Sequence, residues 1–144
     1  MESSLEIRPA EVADAPALEG LLEELGHPAP VEAVVERMER ARTAGEHLLV
    51  AVTGGQVIGY AGVHVTAVLD RVRPKGRITA LVVTGSARGS GAGRRLIEAA
   101  ETLVRERGCE LLEVTSNLRL TDAHAFYEHL GFERTSYRFA KRLD

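Results

Sequence analysis

Residues 88–93 read Arg-Gly-Ser-Gly-Ala-Gly, directly after the apolar run Leu81-Val82-Val83 and directly before a helical pattern that begins near Ala92. Glycines carry no Cβ, so successive backbone N–H groups can turn toward one anion. A helix that starts there adds about half a positive charge at its first turn. A strand, a glycine turn and a helix in that order can therefore hold a phosphate or pyrophosphate, contacted here by Arg88, Gly89, Ser90, Gly91, Ala92 and Gly93. Arg88 and Arg94 could add charge-assisted hydrogen bonds at its edge. Three alternating glycines also serve as a plain flexible turn, and only context separates the two readings. A P-loop is excluded, because no Gly-Lys-Ser/Thr follows. A dinucleotide fold is disfavoured: its loop follows the first strand, whereas this one comes late, and no further βαβ half follows Glu110 and Glu113.

The other residues with chemical potential are sparse. Tyr60 stands alone, while Phe126, Tyr127, Phe132, Tyr137 and Phe139 crowd the C-terminal end. By its neighbours alone, Tyr127 reads as a core ring on a short helix beside Phe126 and Phe132. The single cysteine, Cys109, cannot form an internal bridge and reads as a space-filling thiol.

These residues need elements to position them. Leu5 to Arg8 alternates like a short strand and stops at Pro9. Asp14 is placed to cap a helix whose stripe is Leu18, Leu21, Leu22 and Leu25, ending at Gly26. After a loop containing His27, Val31, Val34, Val35 and Met38 repeat at helical spacing as far as Gly45. His47 to Val52 and Val57 to Val68 form a hairpin around Gly54-Gly55. A basic bend at 71–76 follows, then a strand over Ile78 to Val83, the glycine turn, and a helix marked by Ala92, Leu96, Ala100, Leu103 and Val104. Leu111 to Thr115 reads as a strand, Asp122 to Leu130 as a short helix closed by Gly131, and Glu133 to Ala140 as a final strand. The order predicts an α/β (α+β) fold with a mixed, mostly antiparallel twisted sheet and helices on both faces.

At 144 residues, 44% hydrophobic and 27% charged, the chain fits one domain over 1–144 whose core requires neither disulfide nor metal. A net charge of -3 argues against an electrostatic nucleic-acid binder. No apolar run approaches the ~20 residues that span a bilayer, and the polar, acidic start is unlike a signal peptide. The expectation is a cytoplasmic protein without membrane or nucleic-acid partners.

Two motifs together resemble the N-acetyltransferase family known as GNAT. Arg88-Gly89-Ser90-Gly91-Ala92-Gly93 is similar to its pyrophosphate motif, Gln/Arg-x-x-Gly-x-Gly/Ala. The run from Ala123 through Tyr127 to Gly131-Phe132 is similar to its Ala-x-x-x-Tyr-x-x-x-Gly-Phe segment. The resemblance implies the GNAT fold, in which the strand before the glycine turn splays from the next parallel strand. The pantetheine arm of acetyl-CoA lies in that opening, a role that falls here on Leu81, Val82 and Val83. A main-chain N–H of that strand faces the thioester oxygen. Tyr127 takes the place of the tyrosine that protonates the departing thiolate.

The resemblance also has departures. Many relatives carry an asparagine seven residues before the tyrosine; that position is Leu120 here, and Asn117 is the nearest substitute for a cofactor contact or a turn residue. Several relatives carry a basic carboxylate on the strand before the turn, where this chain has Thr79 and Ala80. The general-base candidates left are Glu113, His64 and His27. The implied activity is acetyl transfer from acetyl-CoA to a primary amine, by direct attack in a ternary complex and without a metal. The acceptor expected is a small molecule, bound between the His27 loop, the Val68 to Arg77 bend and the last strand. The alternatives are acetylation of protein N-termini or lysines, and an acetyl-CoA-binding sensor or interaction module. Relatives are often dimers, so a homodimer is expected.

Overall fold

The structure, a computed structural model, describes residues 4–116 and 120–143. The sheet has the order β1-β2-β3-β4-β5, with β1 at Glu6–Pro9, β2 at His47–Thr53, β3 at Gln56–Thr66, β4 at Lys75–Val83 and β5 at Leu112–Val114. The first three pairings are antiparallel, and β4 pairs with β5 in parallel. The hairpin between β2 and β3 turns on Gly54 and Gly55, both at positive φ, where a Cβ would be strained.

Helices cover both faces, as the periodicity predicts. On one face, α1 (Ala15–Leu25) and α2 (Val31–Thr43) bury Leu18, Leu21, Val34 and Met38 against Leu48 and Val50 of β2. On the other face, α3 (Ala92–Glu106) buries Leu96, Ile97, Ala100 and Val104 against Leu49, Ala51, Ala61, Val63 and Ile78. The short α4 (Thr121–His129) packs Phe126, Tyr127 and the following Leu130 on this second core. Full burial of a Leu or Val contributes about 1.5–3 kcal/mol, so these two stripes set the sandwich. Cys109 is buried in the second core, and burial pushes its thiol above the usual range, consistent with packing rather than reactivity.

Two local expectations are corrected. Asp14 stands at the N-terminus of α1 but accepts no helical N–H there. Its carboxylate instead takes both guanidinium nitrogens of Arg8, at 2.8 and 2.9 Å, and the N–H of Glu11 at 2.7 Å. The charge of Arg8 outcompetes neutral amides for a carboxylate within reach of both. The final strand over Glu133 to Ala140 is not formed: residues 133–143 are exposed and without regular structure, so β5 ends the sheet. Tyr137 and Phe139 do alternate, but among the described residues no strand pairs with them, and an unpaired alternating segment does not make a strand by itself.

Candidate active site

The parallel pair is short. Gly76, Arg77 and Ile78 of β4 face Leu112, Glu113 and Val114 of β5, and the pairing then stops. From Thr79 to Val83, β4 runs on beside β3 and, among the described residues, pairs with no other strand. Thr84 donates its N–H to the Ile58 carbonyl at 2.8 Å, and alternation along an antiparallel ladder therefore turns the amides and carbonyls of Leu81 and Val83 away from β3. Among the described residues these groups have no strand partner, and an extended ligand could pair along this opening as a strand does.

The glycine turn sits at the far end of that opening. Gly85–Ala87 forms one turn of 3-10 helix, with the Ala87 N–H on the Thr84 carbonyl at 2.9 Å and the Ser90 N–H on the Ala87 carbonyl at 3.1 Å. Gly89 and Gly91 adopt φ of 85° and 87°, and a Cβ on either would meet no atom within 4 Å. The glycines are needed here for backbone conformation, and the space above them is open. Arg95 makes the first intrahelical bond of α3, to the Gly91 carbonyl at 3.0 Å, so the amides of Gly93 and Arg94 precede it and have no helical acceptor. Exposed amides at a helix N-terminus behind two left-handed glycines form an anion nest.

Gly93 also sets the position of α4. A Cβ there would lie 3.2 Å from Cζ of Phe126 and 3.8 Å from Val83, so the missing side chain lets α4 approach the first turn of α3. Phe126 and Phe132 flank the ring of Tyr127 at centroid distances of 5.6 and 5.7 Å. Gly131, at φ 94°, reverses the chain so that the Phe132 N–H reaches the Tyr127 carbonyl at 3.0 Å. Tyr127 is half-buried, and burial raises its phenol above the ordinary value.

The remaining candidates are dispersed. The Glu113 carboxylate is 3.3 Å from both Lys75 and Arg77, an arrangement that holds it as an ion-pair partner. The ring of His64 meets the Thr66 hydroxyl at 2.9 Å and the Ala44 carbonyl at 3.2 Å. His27 is exposed in the loop after Gly26. Asn117 lies outside the described residues. Among the described residues, no group of three or more His, Cys, Asp and Glu is arranged to hold a metal ion.

One carboxylate escaped the sequence reading. Glu46 precedes β2, and its side chain accepts a hydrogen bond from the hydroxyl of Thr79, 33 residues on, where β4 leaves β5. No local pattern signals that pairing.

Comparison with known proteins agrees with this geometry. The profile of the acetyltransferase (GNAT) family matches residues 15–132. An aminoalkylphosphonate N-acetyltransferase of Salmonella typhimurium is 35% identical over 97 residues, 67% of this chain and 63% of that protein. The match thus spans less than two thirds of that relative's length. An aminoglycoside N(6')-acetyltransferase type 1 of Stenotrophomonas maltophilia is 31% identical over 111 residues, 74% of this chain and 70% of that protein. The crystal structure of a Trypanosoma brucei acetyltransferase superposes with a TM-score of 0.85 at 28% identity, covering 97% of this chain and all of that one. With a parallel strand pair that parts beside a glycine turn, and a family match over most of its length, the chain belongs to the GNAT family.

Proposed function

We propose that the protein, as a single domain, transfers the acetyl group of acetyl-CoA to the primary amine of a small molecule, by direct attack in a ternary complex. The observation that carries this reading is the unpaired edge of β4 running into the nest at Gly89 and Gly91. The pantetheine arm would pair with Leu81 and Val83, and the pyrophosphate would sit on the amides between Arg88 and Arg94. A thioester placed between these contacts lies where β4 parts from β5. Tyr127 would donate a proton to the departing sulfur. Asn117 remains part of the proposed cofactor contact set.

A small amine is supported by the relatives, which act on aminoalkylphosphonates and aminoglycosides. The chemistry requires no metal. Among the described residues no helix is long and apolar enough to cross a membrane, in keeping with a cytoplasmic enzyme. We include a homodimer in the reading: Tyr137, Phe139 and Leu143 are 81–94% exposed, an apolar surface that a second copy would cover.

Calorimetry with acetyl-CoA, followed by thiol release across a panel of aminoalkylphosphonates, aminoglycosides, polyamines and amino acids, tests the function. Binding with turnover of at least one amine supports it. Binding with no turnover on small amines or peptides would favour a sensor, and no binding would remove the reading entirely.

A further inference from the structure

We propose that Glu46 is the general base of the transfer, carried by the end of α2 to the place where β4 leaves β5. The inference rests on the acetyltransferase reading and names a residue that reading lacks.

The backbone fixes where Glu46 stands. Helix α2 closes with Gly45 at φ 90°, with the Gly45 N–H on the Arg42 carbonyl at 2.9 Å and the Glu46 N–H on the Ala41 carbonyl at 2.9 Å. This left-handed closure reverses the chain within one residue and delivers Glu46 to the head of β2. By strand alternation Glu46 falls on the sheet face of Leu48 and Val50, which α1 and α2 cover.

Strand β4 is irregular at the facing position. Gly62 of β3 pairs with Ala80 and Val63 with Ile78, so Thr79 is the extra residue of a bulge. Bulges re-aim side chains, and this one turns the Thr79 hydroxyl onto the Glu46 carboxylate. Gly62 leaves the room for the contact. A Cβ on Gly62 would collide with the Thr79 hydroxyl and lie 3.1 Å from Oε1 of Glu46 and 3.2 Å from the Tyr60 hydroxyl. Oxygens of Glu46 just before β2, Tyr60 of β3 and Thr79 of β4 thus converge on one point. Ile78, the residue before Thr79, is the last to pair with β5, so this point borders the mouth of the opening.

The charges around it leave Glu46 available. Among the described residues, no Lys or Arg lies within ion-pair distance of its carboxylate. Arg77 is committed to Glu113 and Thr115, and Arg42 to the Ala10 carbonyl. His64 is held by Thr66 and Ala44. Tyr60 is pushed up to about 12, first by burial and then by the charge of Glu46, so its hydroxyl stays neutral beside the carboxylate. Glu113, by contrast, is already shared between two cations.

The step balances as follows. The ammonium of the acceptor gives one proton to Glu46, directly or through one water, and Glu46 later releases it to solvent. The free amine forms a C–N bond at the thioester carbon, the C–S bond breaks, and the sulfur takes a proton from Tyr127. The second proton lost by nitrogen restores the phenol through solvent, and one proton leaves per turnover.

The test is Glu46→Gln, assayed with whichever amine the wild type acetylates. The expected result is a kcat lower by about 100-fold or more near neutrality, with the acetyl-CoA dissociation constant within twofold of wild type by calorimetry. The deficit should shrink as pH rises and the acceptor arrives already deprotonated. Glu46→Asp keeps a carboxylate and should recover part of the loss, and Thr79→Val should fall between it and wild type. A kcat within threefold of wild type, a change confined to the acceptor KM, or a deficit constant across pH would overturn the assignment. If the wild type acetylates no amine, the functional reading fails together with it; if the wild type is active and Glu46→Gln equally so, only this inference fails.

Discussion

The carboxylate of Glu24, in the last turn of α1, accepts the backbone N–H of Gly85 at 2.9 Å, and its second oxygen accepts the Thr84 hydroxyl at 2.7 Å. Residues 61 positions apart thereby tie the helix that leads into the His27 loop to the start of the glycine turn. The contact restrains the turn and touches no proposed reacting atom, so Glu24 is a positioning residue.

Glu24→Ala should therefore raise the KM for acetyl-CoA by roughly threefold to tenfold while leaving kcat within twofold, the scale of one exposed charge-assisted contact. The hydroxyl of Thr84, then the Gly85 amide and the charge of Arg88, hold Glu24 below the usual carboxylate value. A depressed carboxylate contributes above the ordinary range and is lost as pH falls through its lowered value. The wild-type KM should accordingly stay flat from neutral pH into mild acid and rise only below the ordinary carboxylate range, and the variant should lack that rise. A kcat loss with unchanged KM would exclude the positioning role.

Tyr127→Phe removes one hydroxyl and keeps the ring between Phe126 and Phe132. If the phenol protonates the leaving sulfur, kcat should fall by about tenfold or more with the acetyl-CoA KM unchanged. Burial raises this phenol, so it remains protonated through the neutral and mildly alkaline range. No alkaline fall in kcat attributable to Tyr127 should occur below about pH 10. Steady-state kinetics across pH would detect either departure.

The Arg8–Asp14 pair joins β1 to the start of α1, and Asp14 is buried. Hydrogen bonding from Arg8, joined by the Glu11 N–H, keeps Asp14 below its usual value despite the opposing effect of burial. Its contribution to stability is full above the unfolded-state value and disappears as pH falls through the folded one. Asp14→Asn should cost about 2 kcal/mol near neutral pH, since it leaves the Arg8 guanidinium without its counter-charge. Thermal melts should show a Tm lower by roughly 4–8 °C at pH 7, with the gap closing in strong acid. An unchanged gap at low pH would assign the loss to packing.

What was legible in the sequence is what short-range pattern encodes. The Gly54-Gly55 hairpin, the left-handed Gly89 and Gly91 before α3, and Tyr127 on a helix closed by Gly131 each depend on residues within a few positions. The carboxylates behave differently. Glu46 meets Thr79 because a bulge in β4 coincides with a sharp closure of α2, and Glu24 meets Gly85 because α1 packs across the sheet. Neither contact leaves a local signature. The final strand fails for the complementary reason: Tyr137 and Phe139 have strand alternation, but a strand exists only where a neighbour supplies its hydrogen bonds. Asp14 has the position of a helix cap, yet Arg8, six residues upstream, claims its oxygens.

Gly76 tests the geometry that opens the site. It begins the parallel pairing with Leu112 and donates its N–H to the Leu111 carbonyl at 3.0 Å. A Cβ there would stand 2.6 Å from Cγ1 and 2.8 Å from Cβ of Val104, a residue of α3 that is 3% exposed. Gly76→Ala should therefore push α3 away from the β4–β5 junction at a cost of about 1–3 kcal/mol, as overpacking a filled core does. Val104→Ala alone leaves a cavity and is destabilising too. Combined, the new methyl occupies part of the vacated volume, and the double variant should be more stable than the sum of the two losses by at least about 0.5 kcal/mol. Denaturant melts of the four proteins measure that coupling. Simple additivity would mean that the strain at Gly76 is relieved elsewhere, by movement of β5 rather than of α3.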